Sequence, residues 1–281
     1  MDFFKKTAHI AVFIFAFIGL IFTVVFIGMQ FGLFNVRGSM LERNSFFHTS
    51  QHAAAFEGVC ALNAQIACAW NATPEWAVIH DGLIKDASVI ARVSDETGVS
   101  RRMIATVVVP EQVRFFTSDR EIFKSYFEPL KILGSLSQFS LGVSGIKQET
   151  ANAIEQNASD PTSPLYPGSN VQSLFAYPTD ANHDTELYNR LTDPKDHYYS
   201  YLYTALYIKE VEAQWKAAGY DISQNPEAVA TLFNIGFQKS HPNATPAAGG
   251  APIDIGGATY TFGTLGALFY RSNELVEVFP K

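Results

Sequence analysis

A single carboxylate, Glu111, stands directly after a proline at the end of the apolar run MIATVVVP. An acid held among valines and phenylalanines resists ionisation, because burial penalises its charged form, so it can keep a proton near neutral pH and donate it. The plainer alternative is a surface glutamate that opens the next turn. Two other short stretches, SLGVSGIKQETA at 140–151 with Gly142 and Gly145, and ATLFNIGF at 230–237 with Asn234, leave room for a site. The glycines need only mean a turn, but their small size equally lets a ligand approach the backbone. Asn234 either caps or cross-links helices or meets a substrate.

Other chemistry-bearing residues point less sharply. His183, Asp184, Asp193, Asp196 and His197 are metal-ligand types, but they lack tight ligand spacing in a polar stretch, and a solvated loop is the expectation. Asp119 and Glu121 fall at a helix start, where negative charge is favoured for structural reasons alone. Cys60 and Cys68 are the only cysteines. Eight residues along one straight helix span about 12 Å, too far for a bridge, so a disulfide requires a turn between them, and two buried thiols are the competing reading. Among the tyrosines of 198–207, Tyr199 and Tyr203 share a helical stripe with Leu206 that belongs in a core. Tyr198, Tyr201 and Tyr207 fall on other faces and are free to line a groove.

The elements that must position these residues are helices. Of 281 residues, 47% are hydrophobic and 17% charged, enough apolar matter for a large core, and the net charge of −7 excludes the basic face of a nucleic-acid binder. Residues 10–29 form an uncharged run behind Lys5 and Lys6, long enough as a helix to cross a hydrocarbon core of about 30 Å. A cleaved signal peptide competes with this reading, but the run exceeds a usual apolar signal core and no small-residue cleavage site follows. The expected organisation is a cytoplasmic stub and transmembrane anchor over 1–34, a connector over 35–75 and a mainly helical domain over 76–281.

Within that domain LIKDASVIARVSDETG reads as helix stopped by Gly98, and Ser100 caps the following RRMIATVVVPEQVRFF. The valine run there fits a strand as well. Pro110 is awkward in a strand and kinks a helix by freeing the Thr106 carbonyl, so the chain is expected to bend beside Glu111. Ser118 and Glu121 make a capping box for a further helix, and KQETANAIEQN makes a short one. Residues 157–196 read as a long loop and 197–219 as a helix with a glycine stop. Asn225 and Pro226 open the helix of 226–237, 241–260 reads as loop, and the chain closes as helix.

Taken in order, DETGVSRRMIATVVVPEQ, SLGVSGIKQETA and ATLFNIGF resemble the motifs of the lysozyme-like lytic transglycosylases, which cleave peptidoglycan. The resemblance covers roughly 76–275 and implies a lysozyme-like, mainly α fold with long loops. It puts Glu111 at the position of the catalytic acid. Ser140, Gly142, Thr150 and Ala151 match the family's second motif and Asn234 and Gly236 its third, and Ser140, Gly142, Gly145, Phe233, Asn234 and Gly236 fall at substrate-binding positions. The sequence departs from the pattern where Gln112 replaces the usual Ser, Gly145 a Gln and Phe233 a Tyr. The implied chemistry is proton donation to the bridging oxygen and attack by the sugar's own 6-hydroxyl, with no cofactor and no second carboxylate as nucleophile. The implied partner is the peptidoglycan glycan strand, and the implied location is a bacterial inner membrane with 35–281 in the periplasm. The departures keep open a peptidoglycan-docking subunit of an envelope assembly that has lost turnover. A structural helical domain is the third possibility.

Overall fold

The computed structural model describes residues 69–117 and 140–281 except 194 and 247, together with helical positions 13, 15–17, 19, 20 and 23. The expected anchor at 10–29 thus falls mostly outside the described residues. So do Cys60, Cys68, most of the 35–75 connector and the helix expected after Ser118. Among the described residues, no helix is long and apolar enough to cross a membrane. The described part from residue 69 onward is mainly helical.

The helix ends follow local chemistry. Thr73 caps α1 (Pro74–Lys85) by accepting from Trp76 N, and Pro74 occupies the first turn, where no N–H is needed. Asp86 separates α1 from α2 (Ala87–Thr97), which stops at Gly98 in the left-handed conformation. Ser100 Oγ then accepts from Met103 N at 3.1 Å to open α3 (Arg101–Thr117). A two-residue antiparallel pair, β1 (Ser140–Leu141) with β2 (Ile146–Lys147), leads straight into α4 (Gln148–Ser159). Beyond it come a 3-10 segment (Ser169–Phe175), α5 (His183–Thr192) and the long α6 (Tyr198–Ala217). Asn225 caps α7 (Pro226–Ile235), and a hairpin of β3 (Pro252–Ile255) and β4 (Ala258–Thr261) feeds α8 (Phe262–Arg271).

α3 lies at the centre. Residues 102–113 are all buried, and the helix packs on α8, α7, α1, α6, α2 and β3. The valine run is therefore helical. Its intrinsic helix penalty of about 0.5 kcal/mol per residue is outweighed once neighbours enclose every face, and the flanking RRMIA and EQVRF segments favour helix. The bend expected at Pro110 does not end the helix, which continues to Thr117. Proline leaves the Thr106 carbonyl without its intrahelical donor. That oxygen faces Gly266 of α8, where a Cβ would lie only 2.8 Å from it, so the two helices can cross this closely only over a glycine.

Two polar joints hold the outer elements. Arg102, wholly buried on α3, donates to the carbonyls of Phe269, Tyr270, Ser272, Glu274 and Phe279, and its guanidinium lies 4.2 Å from the Phe269 ring. The stretch 157–196, expected to be loop, carries the 3-10 segment and α5 and is pinned on α4. There Glu155 accepts from the hydroxyls of Tyr177 and Tyr203, and His183 Nε2 lies 2.7 Å from its other oxygen. The hydrogen bond to that carboxylate raises the imidazole's proton affinity. The stretch 252–261, also expected as loop, is the β3–β4 hairpin turning on Gly256 and Gly257. Among the described residues, no group of three His, Cys, Asp or Glu is arranged to hold a metal ion. His183 meets Glu155, whereas His197 Nδ1 lies 2.6 Å from Asp86 Oδ2.

Glu210 of α6 is fully buried and accepts from Asn157 Nδ2 at 3.0 Å, and burial pushes its carboxyl up to about 9. The folded protein then holds a proton that the unfolded chain releases above its ordinary 4.5, so stability falls as pH rises between those values. Glu210→Gln keeps the acceptor and removes the titration. The melting temperature of the wild type should drop more between about pH 5 and about pH 8 than that of the variant. Parallel pH curves would show that Glu210 does not carry this proton.

Candidate active site

The site is assembled by the end of α3, the turn between β1 and β2, the start of α4 and the end of α7. The turn needs two left-handed residues, and Gly142 (φ 64°) and Gly145 (φ 62°) supply them. Between them Val143 is buried in the core and Ser144 Oγ donates to the Ser200 carbonyl at 2.8 Å. From α3, Gln112 donates through Nε2 to the Val143 carbonyl, tying the turn to the helix that carries Glu111. The consequence appears at Gly145, where a Cβ would stand 2.1 Å from Glu111 Oε1. The turn closes directly over the carboxyl group, and only a residue without a side chain fits.

Beside this contact lies a pocket of about 550 Å³, within the size range of small-ligand sites. Glu111, Gly145, Phe233, Asn234 and Gly236 all line it, as does Thr150. Residues from three stretches separated by more than thirty and more than eighty positions thus share one cavity. Ser140 stands in β1 opposite Lys147. Gly142 does not line the pocket; a Cβ there would meet Ser200 Oγ at 2.0 Å and the Leu191 carbonyl at 2.2 Å, so its smallness serves the seating of the turn on α5 and α6. Ala151 is buried in the core.

Glu111 is 2% exposed. It does not stand against hydrocarbon alone, as the sequence led one to expect. Arg114, one turn further along α3, donates from Nη2 to Oε1 at 2.6 Å, and its side chain also lines the pocket. Across the cavity, Asn234 Oδ1 accepts from Ala251 N at 2.8 Å and so holds the loop before β3. Gly236 ends α7 with φ 90°, its N–H donating to the Leu232 carbonyl at 3.0 Å.

Part of the lining is aromatic. Phe233 meets Tyr207 edge-on at 5.1 Å, and Phe237 stacks on Tyr207 at 4.2 Å. The Tyr207 hydroxyl donates to the Leu232 carbonyl at 2.8 Å. Of the tyrosines expected to be free for a groove, Tyr207 lines this pocket, while Tyr198 and Tyr201 are buried against Glu96 and Asp86. Lys147, Glu149 and Lys239 are exposed at the rim. Arg114, Phe237 and Lys239 were not singled out from the sequence. For Arg114 the signal was present, since a cation three residues after an acid on a helix shares its face.

The arrangement places one enclosed carboxyl group, held by a guanidinium, and the rings of Tyr207, Phe233 and Phe237 in the lining of one cavity of about 550 Å³. No family model matches this chain, and neither the curated proteins nor the solved structures give a match.

The close approach at Gly145 makes a specific demand. Gly145→Ala must displace the Glu111 carboxyl and also carries the left-handed strain. Gly98→Ala carries left-handed strain alone, since Gly98 has φ 77° and a Cβ there would come no closer than 3.9 Å to its nearest neighbour, Lys209 Nζ. In denaturant unfolding, Gly98→Ala should cost about 1 kcal/mol and Gly145→Ala at least about 2 kcal/mol. Equal losses would mean that the turn does not press on Glu111.

Proposed function

We propose that this chain is a membrane-anchored enzyme that cleaves the glycan strand of peptidoglycan, with Glu111 as the single general acid/base. The observation that carries the reading is convergence. The three stretches whose order resembles the lytic transglycosylase motifs meet at one pocket, with Glu111 in its wall. A lysozyme-like arrangement of the mainly helical part belongs to the same reading. So do an anchor at 10–29 and a periplasmic location for 35–281. The exposed side chains of Phe13, Phe15, Phe17 and Leu20 support the anchor.

The chemistry follows from one carboxyl group. Glu111 gives its proton to the bridging oxygen as the bond from that oxygen to C1 breaks, and positive charge spreads over C1 and the ring oxygen. The resulting carboxylate takes the proton of the sugar's 6-hydroxyl while that oxygen bonds to C1, giving a 1,6-anhydro end. Entry of water instead gives a reducing end. Among the described residues lining the pocket, the other carboxylate is Glu149, exposed at the rim. It is not enclosed as a nucleophile would be.

A docking subunit without turnover is the second reading. It is favoured by Gly145 and Phe233, which leave the pocket without the amide and phenol that the family pattern places there.

Full-length protein in detergent micelles, incubated with purified peptidoglycan, tests the first reading by mass spectrometry of the released fragments. The wild type should release anhydro-ended muropeptides, and Glu111→Gln should lower the rate at least about 100-fold while melting at a similar temperature. Binding without release by folded wild type would support the docking subunit. Reducing ends would make the enzyme a hydrolase.

A further inference from the structure

The two oxygens of the Glu111 carboxyl group have different surroundings. Oε1 accepts from Arg114 Nη2 at 2.6 Å and is backed by Gly145, where a Cβ would lie 2.1 Å away. Oε2 accepts from no described residue, and it is not among the sealed polar atoms that lack a partner. Gln112, the neighbouring amide, is committed to the Val143 carbonyl. Arg114 is thus the charged side chain that meets the acid inside the pocket, with its own side chain 21% exposed there.

We infer that Arg114 is the positioning residue of the acid: it claims Oε1 so that the transferable proton resides on Oε2. This deepens the glycan-cleavage reading and rests on it. A guanidinium has only donors, so an oxygen that already accepts from it cannot also point a proton along that direction. Whenever Glu111 is protonated, it therefore carries the proton on the other oxygen. When that proton passes to the bridging oxygen, Arg114 faces the new carboxylate through a charge-assisted bond that needs no rearrangement. The proton later taken from the 6-hydroxyl returns to Oε2. The i,i+3 spacing and the glycine behind Oε1 fix the carboxyl plane throughout, which is the kind of orientation that lowers a barrier without tightening binding.

The test is steady-state kinetics of the full chain in micelles on soluble, uncrosslinked peptidoglycan strands, comparing wild type, Arg114→Ala, Arg114→Lys and Glu111→Gln. Arg114→Ala should lower kcat about 10- to 100-fold with KM within about twofold, and Arg114→Lys should retain more turnover, though not all, because a point charge lacks the planar fork. Guanidinium chloride at about 50 mM, far below denaturing concentrations, should restore part of the turnover of Arg114→Ala and none of that of Glu111→Gln. A kcat for Arg114→Ala within twofold of wild type overturns the inference. So does a loss expressed only in KM, or the absence of guanidinium rescue. Should Arg114→Ala not fold, the folded Arg114→Lys decides by the same kcat criterion. A wild type without turnover sinks the glycan-cleavage reading itself, and the role given to Arg114 goes with it.

Discussion

A helix buried on every face must find partners for its ionisable side chains inside the protein, and α3 carries two in its buried stretch, Arg102 and Glu111. They sit nine residues apart, about 13.5 Å along the axis. Either one left without partners would cost several kcal/mol, so each must be met by other groups of the fold. Arg102 is met by five main-chain carbonyls around the end of α8, and this fixes α8 against the base of α3. Glu111 is met by Arg114 from its own helix and closed over by the turn before β2. The packing of α8 and the placing of the β1–β2 turn are two answers to one requirement.

The same requirement bears on the residues at which the sequence is unlike the lytic transglycosylase motifs it resembles. With a turn pressed onto Oε1, position 145 has no room for any side chain, and the glutamine expected there would collide with the acid. Position 112 is sealed and faces that turn, so a long amide that reaches the Val143 carbonyl is useful there. Phe233 packs against Tyr207 and Phe262 and adds ring surface to the lining of the pocket. The pocket thus sets the rings of Tyr207, Phe233 and Phe237 among polar and charged residues such as Glu111, Arg114, Thr150 and Asn234, a combination that can hold an amphipathic ligand by its faces and its polar groups.

Much of the framework was legible in the sequence because its signals are local. Gly98, Ser100, Asn225 and Pro226 mark helix ends through their own backbone preferences, and the structure ends or begins helices there. Local signals failed where packing decides. The valine run fits two conformations, and only enclosure by its neighbours selects the helix. Residues 157–196 looked like loop because α5 is polar on its outer side and short; what holds it is Glu155 of α4, 28 residues before its partner His183. The Gly256–Gly257 pair between alternating residues was a readable hairpin signal that the surrounding prolines and glycines masked. For the site, the resemblance brought out six residues that share the pocket, but not Arg114. Nor did it reveal that Gly142 serves the seating of the turn, which depends on Leu191 and Ser200.

The carbonyl ring around Arg102 also bears on how the protein is made. Those five acceptors lie between residues 269 and 279, about 170 positions after the arginine they enclose. On the ribosome, α3 emerges long before them, and until they arrive its guanidinium has no partners with which to enter a core. A growing chain can therefore gather its earlier helices only loosely, with Arg102 still in water. The final packing of α3, and with it the enclosure of Glu111, waits for that late segment. Synthesis order thus acts as a timer on the pocket, so that the acid is shaped only once the whole of the fold is present.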